Sequence, residues 1–491
     1  MNSYQAIFES FTENEREQLA QLKRFFERLQ CDGELLDAIN KKRVSPGQLA
    51  RLTETGVLFG LSELPLALEQ QQNMLLYIMA VSKDIEEELD DEVKLFAGQY
   101  PLLRLWGKYQ ALLHKERRRE NKELPASLNI RFDAWRKRRI AAAKSELGFF
   151  GAQISHPTFA YELSEGCSVG CWFCSFATRK LTGVLDYNAE RGNVHRVISH
   201  CINLFGKQTA GHALPYYRTE PHDNPGYIDF LRDFEDMTGE VLCTSTAVCG
   251  DIAWLRALMA YYRRENYKYY LPRLSILSPA MMDKVHDAFT PIELLEMELL
   301  IQTKDHIRPK ITGGRILEEN AGLRDREDFS DKNNIGQVPQ GSISCVSGFI
   351  VNLVSHTVTL VSPCYASGKW PLGFRVFAEK TYEDAEHFPA VINEIIESCM
   401  QLAPPKEKPV KFRDDIVVRP TENGFDLATP NQLHHFKGRD KCGPLGELIA
   451  SGNYTYGELI GELTRKHSAN PLVLRAIVQK LFDDGFLDEV Y

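Results

Sequence analysis

Long apolar stretches are missing from this sequence. No run approaches the ~20 residues that a membrane-spanning helix needs, and the start, MNSYQAIFESFTENEREQ, lacks the basic opening and apolar core of an export signal. The expectation is a cytoplasmic protein with no membrane partner. An excess of positive charge is missing too: 58 Lys and Arg against 67 Asp and Glu leave a net charge of -9. That argues against a general nucleic-acid binder, because neutralising phosphates takes clustered cations. An even, densely spaced cysteine set is absent as well. The 11 cysteines in 491 residues favour reduced thiols and metal ligation over a disulfide framework. What is present is an ordinary globular composition, 43% apolar and 25% charged, in a chain long enough for about two to four domains.

Three regions are expected, over residues 1–150, 151–400 and 408–491. The first carries apolar spacings such as Leu19, Leu22, Phe26 and Leu29 that fit one helix face, and reads as a helical domain. Its end, from Lys115 to Lys144, contains KERRRE and WRKRR, a basic run in an acidic protein. Two readings apply there, a solvated helix face and an electrostatic dock for an acidic partner. From about 155 the pattern becomes short apolar runs alternating with amphipathic helices. Strands are predicted at 159–166, 213–219, 240–246 and 271–277, with helices between them at 193–206, 226–237 and 251–266. Repeated strand–helix units predict an α/β domain with a parallel sheet, open or closed into a full or partial barrel, and chemistry at the carboxyl ends of the strands. A β-rich hairpin is predicted over 348–364, flanking SHT, and QLAPPKEKPVKF (401–412) reads as a linker. Beyond it come a hairpin turning at Asn423-Gly424 and three short helices. The second starts at the Thr455–Glu458 capping box, and the third at Asn470 with Pro471 in its first turn. Small strands plus three helices describe a winged-helix-like module.

The chemistry is concentrated in CSVGCWFC, residues 167 to 174. Cys167, Cys171 and Cys174 have the spacing C-x3-C-x2-C, short enough to wrap one iron–sulfur cubane in a single loop. Four thiolates would close such a cluster; three leave one iron open to a non-protein ligand. A structural zinc site needs a fourth ligand, and the loop offers no His. Cys201 lies on a predicted helix, where cysteine is usually a buried apolar residue.

With Phe173 just before the last cysteine, this loop resembles the motif of the radical S-adenosylmethionine (SAM) superfamily. The resemblance implies a radical SAM partial (β/α) barrel between the helical and winged-helix-like domains. It implies a 4Fe–4S cluster held by Cys167, Cys171 and Cys174, with S-adenosyl-L-methionine chelated at the fourth iron. An electron from an external donor then breaks a carbon–sulfur bond, giving methionine and a 5′-deoxyadenosyl radical. Glu220, in RTEP, matches the acidic position that holds the methionine ammonium, although the two glycines usual before it are missing. Ser275, in RLSIL, matches the polar residue of the fourth strand that contacts the sugar, with Arg273 as its companion; a strand residue facing solvent is the plainer reading of both.

FAYELSEGCSVGCWFC, ISCVSGF and LVSPCYASGKWPLGFRV further resemble the maturases of ribosomally made peptides that convert L- to D-residues, the proteusin or polytheonamide-type epimerases, over most of 150–390. That resemblance implies abstraction of a backbone Cα hydrogen and its return to the opposite face from a cysteine thiol. Cys364, at the end of a predicted strand before a Gly/Pro-containing loop, is the first candidate donor, and Cys345 is the second. Cys243 and Cys249 read as core and loop-edge thiols. The 408–491 module resembles winged-helix elements that bind precursor leader peptides by adding a strand to a sheet edge. Asp483, Asp484, Asp488 and Glu489 disfavour the competing DNA-binding reading. The alternatives are methylation or cross-linking of a peptide, an RNA-modifying radical enzyme, and a non-catalytic iron–sulfur regulator.

Overall fold

The structure, a computed structural model, describes residues 3–41, 77–78, 80–81, 86–120, 124–148, 151–263, 271–304, 313–316, 342–422, 424–429, 431–437 and 442–489. Its strands are β1 (Phe159–Glu162), β2 (Ser164–Glu165), β3 (Gly183–Val184), β4 (Ala213–Leu214), β5 (Ser245–Thr246), β6 (Arg273–Ile276), β7 (Glu298–Ile301), β8 (Gly348–Asn352), β9 (Thr357–Pro363), β10 (Phe374–Thr381), β11 (Val417–Thr421), β12 (Gly424–Ala428) and β13 (Leu433–Lys437). With the helices they make a mixed α/β protein of several sheets, none of which closes into a barrel among the described residues. No described helix is long and apolar enough to cross a membrane. The chain divides into two compact units, one of residues 1–124, 220–235 and 241–309, the other of 125–219, 236–240 and 310–491.

In the first unit the helix Glu13–Cys31 begins at a capping box in which Thr12 accepts from the Glu15 N–H (3.2 Å) and the Glu15 carboxylate accepts from the Thr12 N–H (2.8 Å). Leu19, Leu22 and Leu29 are buried as their spacing predicts, but Phe25 takes the fully buried place and Phe26 stacks half-buried on Trp106. Cys31, at the end of that helix, shares a core with a parallel sheet, β5–β6–β7. Leu274 pairs with Leu299 and Ile276 with Ile301. The helices Ile252–Tyr262 and Pro279–Ala288 supply Leu255, Met259, Met282 and Val285 to the same core. The strand predicted over 240–246 is reduced to two residues. The Leu242 carbonyl accepts from the Tyr262 hydroxyl instead of from a neighbouring strand.

The second unit is built on the sheet β10–β9–β8–β1–β4. β1 lies between two parallel partners, pairing Phe159 with Ala213 and with Phe349. A strand covered on both faces reads as a continuous apolar run, and all of FAYE is buried. Phe132, Phe159, Phe205 and Phe349 pack as an aromatic cluster, with Phe132 and Phe205 at 4.9 Å between ring centroids. The strand predicted over 213–219 ends at Leu214. Pro215 follows and has no N–H to continue the ladder. The predicted hairpin is β8 and β9, and β10 extends it.

At the carboxyl end β11–β12–β13 form an antiparallel sheet. Phe425 and Leu427 meet Leu445, Leu459, Leu463, Leu474, Val478 and Leu481 of the helices Cys442–Ser451, Tyr456–His467 and Pro471–Asp483. The capping box at Thr455 and the Asn470 cap are in place. Asn423 lies outside the described residues.

The three arginines of WRKRR do not form the solvated face or the dock that the sequence suggests. On the helix Ile130–Leu147, Arg136, Arg138 and Arg139 are buried. Arg138 and Arg139 pair with the buried Glu489 at 2.7 and 3.0 Å. The same helix presents Phe132 and Trp135 to the core, while Ile130, Arg131, Lys137 and Lys144 stay exposed. Side chains 117–120 lie outside the description.

Candidate functional site

The three-cysteine loop is carried by the second unit, between β2 and β3. Gly166 turns the chain out of β2 with φ +87°, and a Cβ there would overlap the Lys180 carbonyl. That close approach lets the Cys167 N–H donate to the Arg179 carbonyl at 3.0 Å. Two further tight turns follow, the Cys174 N–H donating to the Cys171 carbonyl (3.2 Å) and the Ala177 N–H to the Cys174 carbonyl (3.1 Å). Cys167, Cys171 and Cys174 are half-buried, as are Trp172 and Phe173, whose rings meet edge to face at 5.7 Å.

The donor set is sulfur only, which suits thiolate-bound iron and not magnesium or calcium. The described cysteines form no disulfide. Among the described residues no three His, Cys, Asp or Glu side chains converge as a metal-ligand group. The three thiols share the one loop between β2 and β3. In the number and type of its donors, this loop fits a cluster held at three corners.

Glu220, Arg273 and Ser275 belong to the first unit. Glu220 is buried and caps the turn Pro221–Asp223. Its carboxylate accepts from the Ala247 N–H (3.0 Å), the His222 N–H (3.2 Å) and the Thr246 hydroxyl. Burial pushes its pKa up, against those hydrogen bonds. Ser275 is buried within β6, paired with Leu300, while Arg273 pairs with Glu298 at 3.1 Å.

Cys364, just past β9, is fully buried, and its thiol donates to the Tyr365 carbonyl at 3.3 Å. Burial raises its pKa well above the ordinary thiol range. Cys345 is half-buried and packs against an apolar cluster of Tyr217, Ile350 and Phe374 that Phe176 also joins. Phe176 stands two residues after Cys174, so Cys345 and the end of the cysteine loop share one cluster. Cys243 and Cys249 are buried.

Two features went unread in the sequence. Glu162, at the carboxyl end of β1, is buried and accepts from Arg218 (3.0 and 3.1 Å) and from Asn352 (3.1 Å). An acid inside an apolar strand was its signal, because a buried carboxylate needs donors. The other is Gly313-Gly314-Arg315, which lies against the cysteine loop; its signal was the glycine pair.

Along the edge strand β13 runs a groove of about 790 Å³, walled by the helices Pro471–Asp483 and Ile130–Leu147. Lys144, Lys437 and Lys480 line it with His434 and His435, against a single acid, Asp484.

No family model matches this chain, and no solved structure matches it. It is 30% identical over 493 aligned positions to the uncharacterized protein y4wI of Sinorhizobium fredii (strain NBRC 101917 / NGR234), covering 99% of this chain and 90% of that protein. At that identity over nearly the whole length of both, the chain belongs to the same family as y4wI.

Proposed function

We propose that this protein is a radical SAM peptide epimerase, which converts L- to D-residues in a ribosomally made precursor. The observation that carries the proposal is the loop Cys167-x3-Cys171-x2-Cys174, with Phe173, a few residues beyond β1, a fully buried strand of a parallel ladder. The fold in this reading is a radical SAM partial (β/α) barrel with a helical amino-terminal domain and a winged-helix-like carboxy-terminal domain. The parallel strand–helix units of β5–β7 support it.

When bound, a 4Fe–4S cluster with S-adenosyl-L-methionine and an external electron donor supplies the radical that takes the Cα hydrogen. The chain's own part is to hold, accept and donate. Cys167, Cys171 and Cys174 hold the cluster as thiolates. Glu220 serves the methionine ammonium; a carboxylate has about four lone-pair sites and three protein donors use only part of them. Ser275 and Arg273 serve the sugar. A thiol then gives its hydrogen to the opposite face of the planar carbon: S–H breaks, C–H forms, and the thiyl radical left behind is reduced by the external donor. Cys345 carries the exposed surface this step needs. Cys364 reaches a peptide only if the loop after it moves aside.

The groove along β13 supports the peptide partner. An edge strand offers backbone groups to an added strand, and three lysines favour an acidic leader segment. The RNA-modifying alternative rests in part on the basic run, and the burial of Arg136, Arg138 and Arg139 takes those three cations out of it.

The test is anaerobic incubation with a candidate precursor in heavy water, reading mass and residue chirality together. One added mass unit per D-residue is the expected result. A larger mass change would indicate methylation, and a loss of hydrogen cross-linking; either overturns epimerisation. Cys345→Ala and Cys364→Ala, run side by side, should identify the donor as the variant that still cleaves S-adenosyl-L-methionine but yields no D-residue.

A further inference from the structure

Residues 313–316 are remote in sequence from the cysteine loop and lie directly on it. The Arg315 guanidinium donates through Nη1 to the Cys171 carbonyl (2.7 Å) and through Nη2 to the Thr178 carbonyl (2.7 Å). Its backbone N–H donates to the Cys174 carbonyl at 3.0 Å. One residue therefore ties down the carbonyls of two of the three cysteines, and a third just beyond them. The approach is possible only because Gly314 has φ +50° and no side chain; a Cβ there would overlap the carbonyls of both Ser175 and Cys174. The Gly314 N–H is in turn anchored on the Pro371 carbonyl at 2.8 Å.

We infer that Arg315 is the positioning residue of the three-thiolate loop: its fork holds the carbonyls of Cys171 and Thr178 and its backbone N–H that of Cys174, so that the loop backbone is pre-arranged for the cluster. The inference rests on the cluster reading above. A planar guanidinium can satisfy two carbonyls at once, where an ammonium acts as a point charge. Three thiolates on one short loop also repel one another, and a fixed cation against the loop backbone lowers that cost. Hydrogen bonds and charge around the sulfurs further set a cluster's reduction potential. Arg315 thus acts on both the affinity and the potential of whatever the thiolates hold.

The experiment uses the full chain, wild type beside Arg315→Gln and Arg315→Lys, reconstituted anaerobically with iron and sulfide. Iron and sulfide per chain, the electron paramagnetic resonance spectrum with and without S-adenosyl-L-methionine, the midpoint potential and the thermal midpoint are read together. The expected result is a cluster in the wild type, about tenfold weaker iron retention against a chelator in Arg315→Gln, a shifted potential, and an unchanged thermal midpoint. Arg315→Lys should fall between the two, because it keeps the charge and loses the fork. If Arg315→Gln does not fold, Arg315→Lys carries the comparison. Wild-type iron retention and potential in the folded variants would overturn the inference while leaving the cluster reading intact. A wild type that takes up no cluster would overturn both.

Discussion

The cysteine loop and the helix Ile130–Leu147 both belong to the second unit, and they handle polar groups in opposite ways. The loop keeps its thiols half-buried and is held by backbone hydrogen bonds, a glycine turn and Arg315. The helix buries Arg136, Arg138, Arg139 and Glu146 and satisfies them with partners drawn from distant parts of the unit. Glu146 pairs with Arg375 at 2.6 Å and accepts from the Tyr365 N–H at 2.9 Å, beside Cys364. Arg375 reaches Asp415, which pairs with Arg413. On the proposed function, the difference separates a region where a substitution should change chemistry from one where it should change stability.

The largest effect should come from the loop. Cys171→Ala should abolish cluster uptake, read as iron and sulfide per chain, yet move the unfolding free energy by no more than about 0.5 kcal/mol, since its side chain is half-exposed. A large loss of stability in that variant would break the comparison.

Next comes the helix. Glu489→Ala leaves Arg138 and Arg139 buried without their carboxylate and should cost about 3–5 kcal/mol in urea unfolding. Iron uptake by the protein that remains folded should be unchanged.

The smallest effect is graded with pH. His156 is buried, donates to or accepts from the Ser347 hydroxyl at 2.8 Å, and gives its carbonyl to Arg136. Burial first, and the Arg136 charge second, push it from 6.5 down to about 3. The unfolded chain therefore binds the proton that the folded one refuses between those values. Stability is full above about pH 6.5 and falls as pH drops toward 3, by about 2 kcal/mol at pH 5 from this group alone. His156→Gln should flatten that slope in unfolding titrations; an unchanged slope would mean that the imidazole is reachable by water.

How far the sequence could be read depended on the range of the interaction. Thr455 and Glu458 cap a helix three residues apart, and Asn470 with Pro471 opens another, so both were legible. The C-x3-C-x2-C spacing is local in the same way, and it places three thiols on one loop. Pro215 could have ended the 213–219 strand on inspection, because a missing N–H is a local fact. The buried arginines could not be read: WRKRR looks solvated until Glu489, 351 residues from Arg138, is placed against it.

The sequence alone determined the helix caps, the apolar strands and the clustering of three thiols on one loop, since these follow from residue chemistry within a few positions. Only the tertiary structure decided that Arg315, 144 residues from Cys171, closes on that loop. It also decided that Cys364 is buried while Cys345 is half-exposed. Those outcomes are set by which backbone carbonyls and side chains are brought within hydrogen-bonding reach, and spacing along a chain carries no record of that.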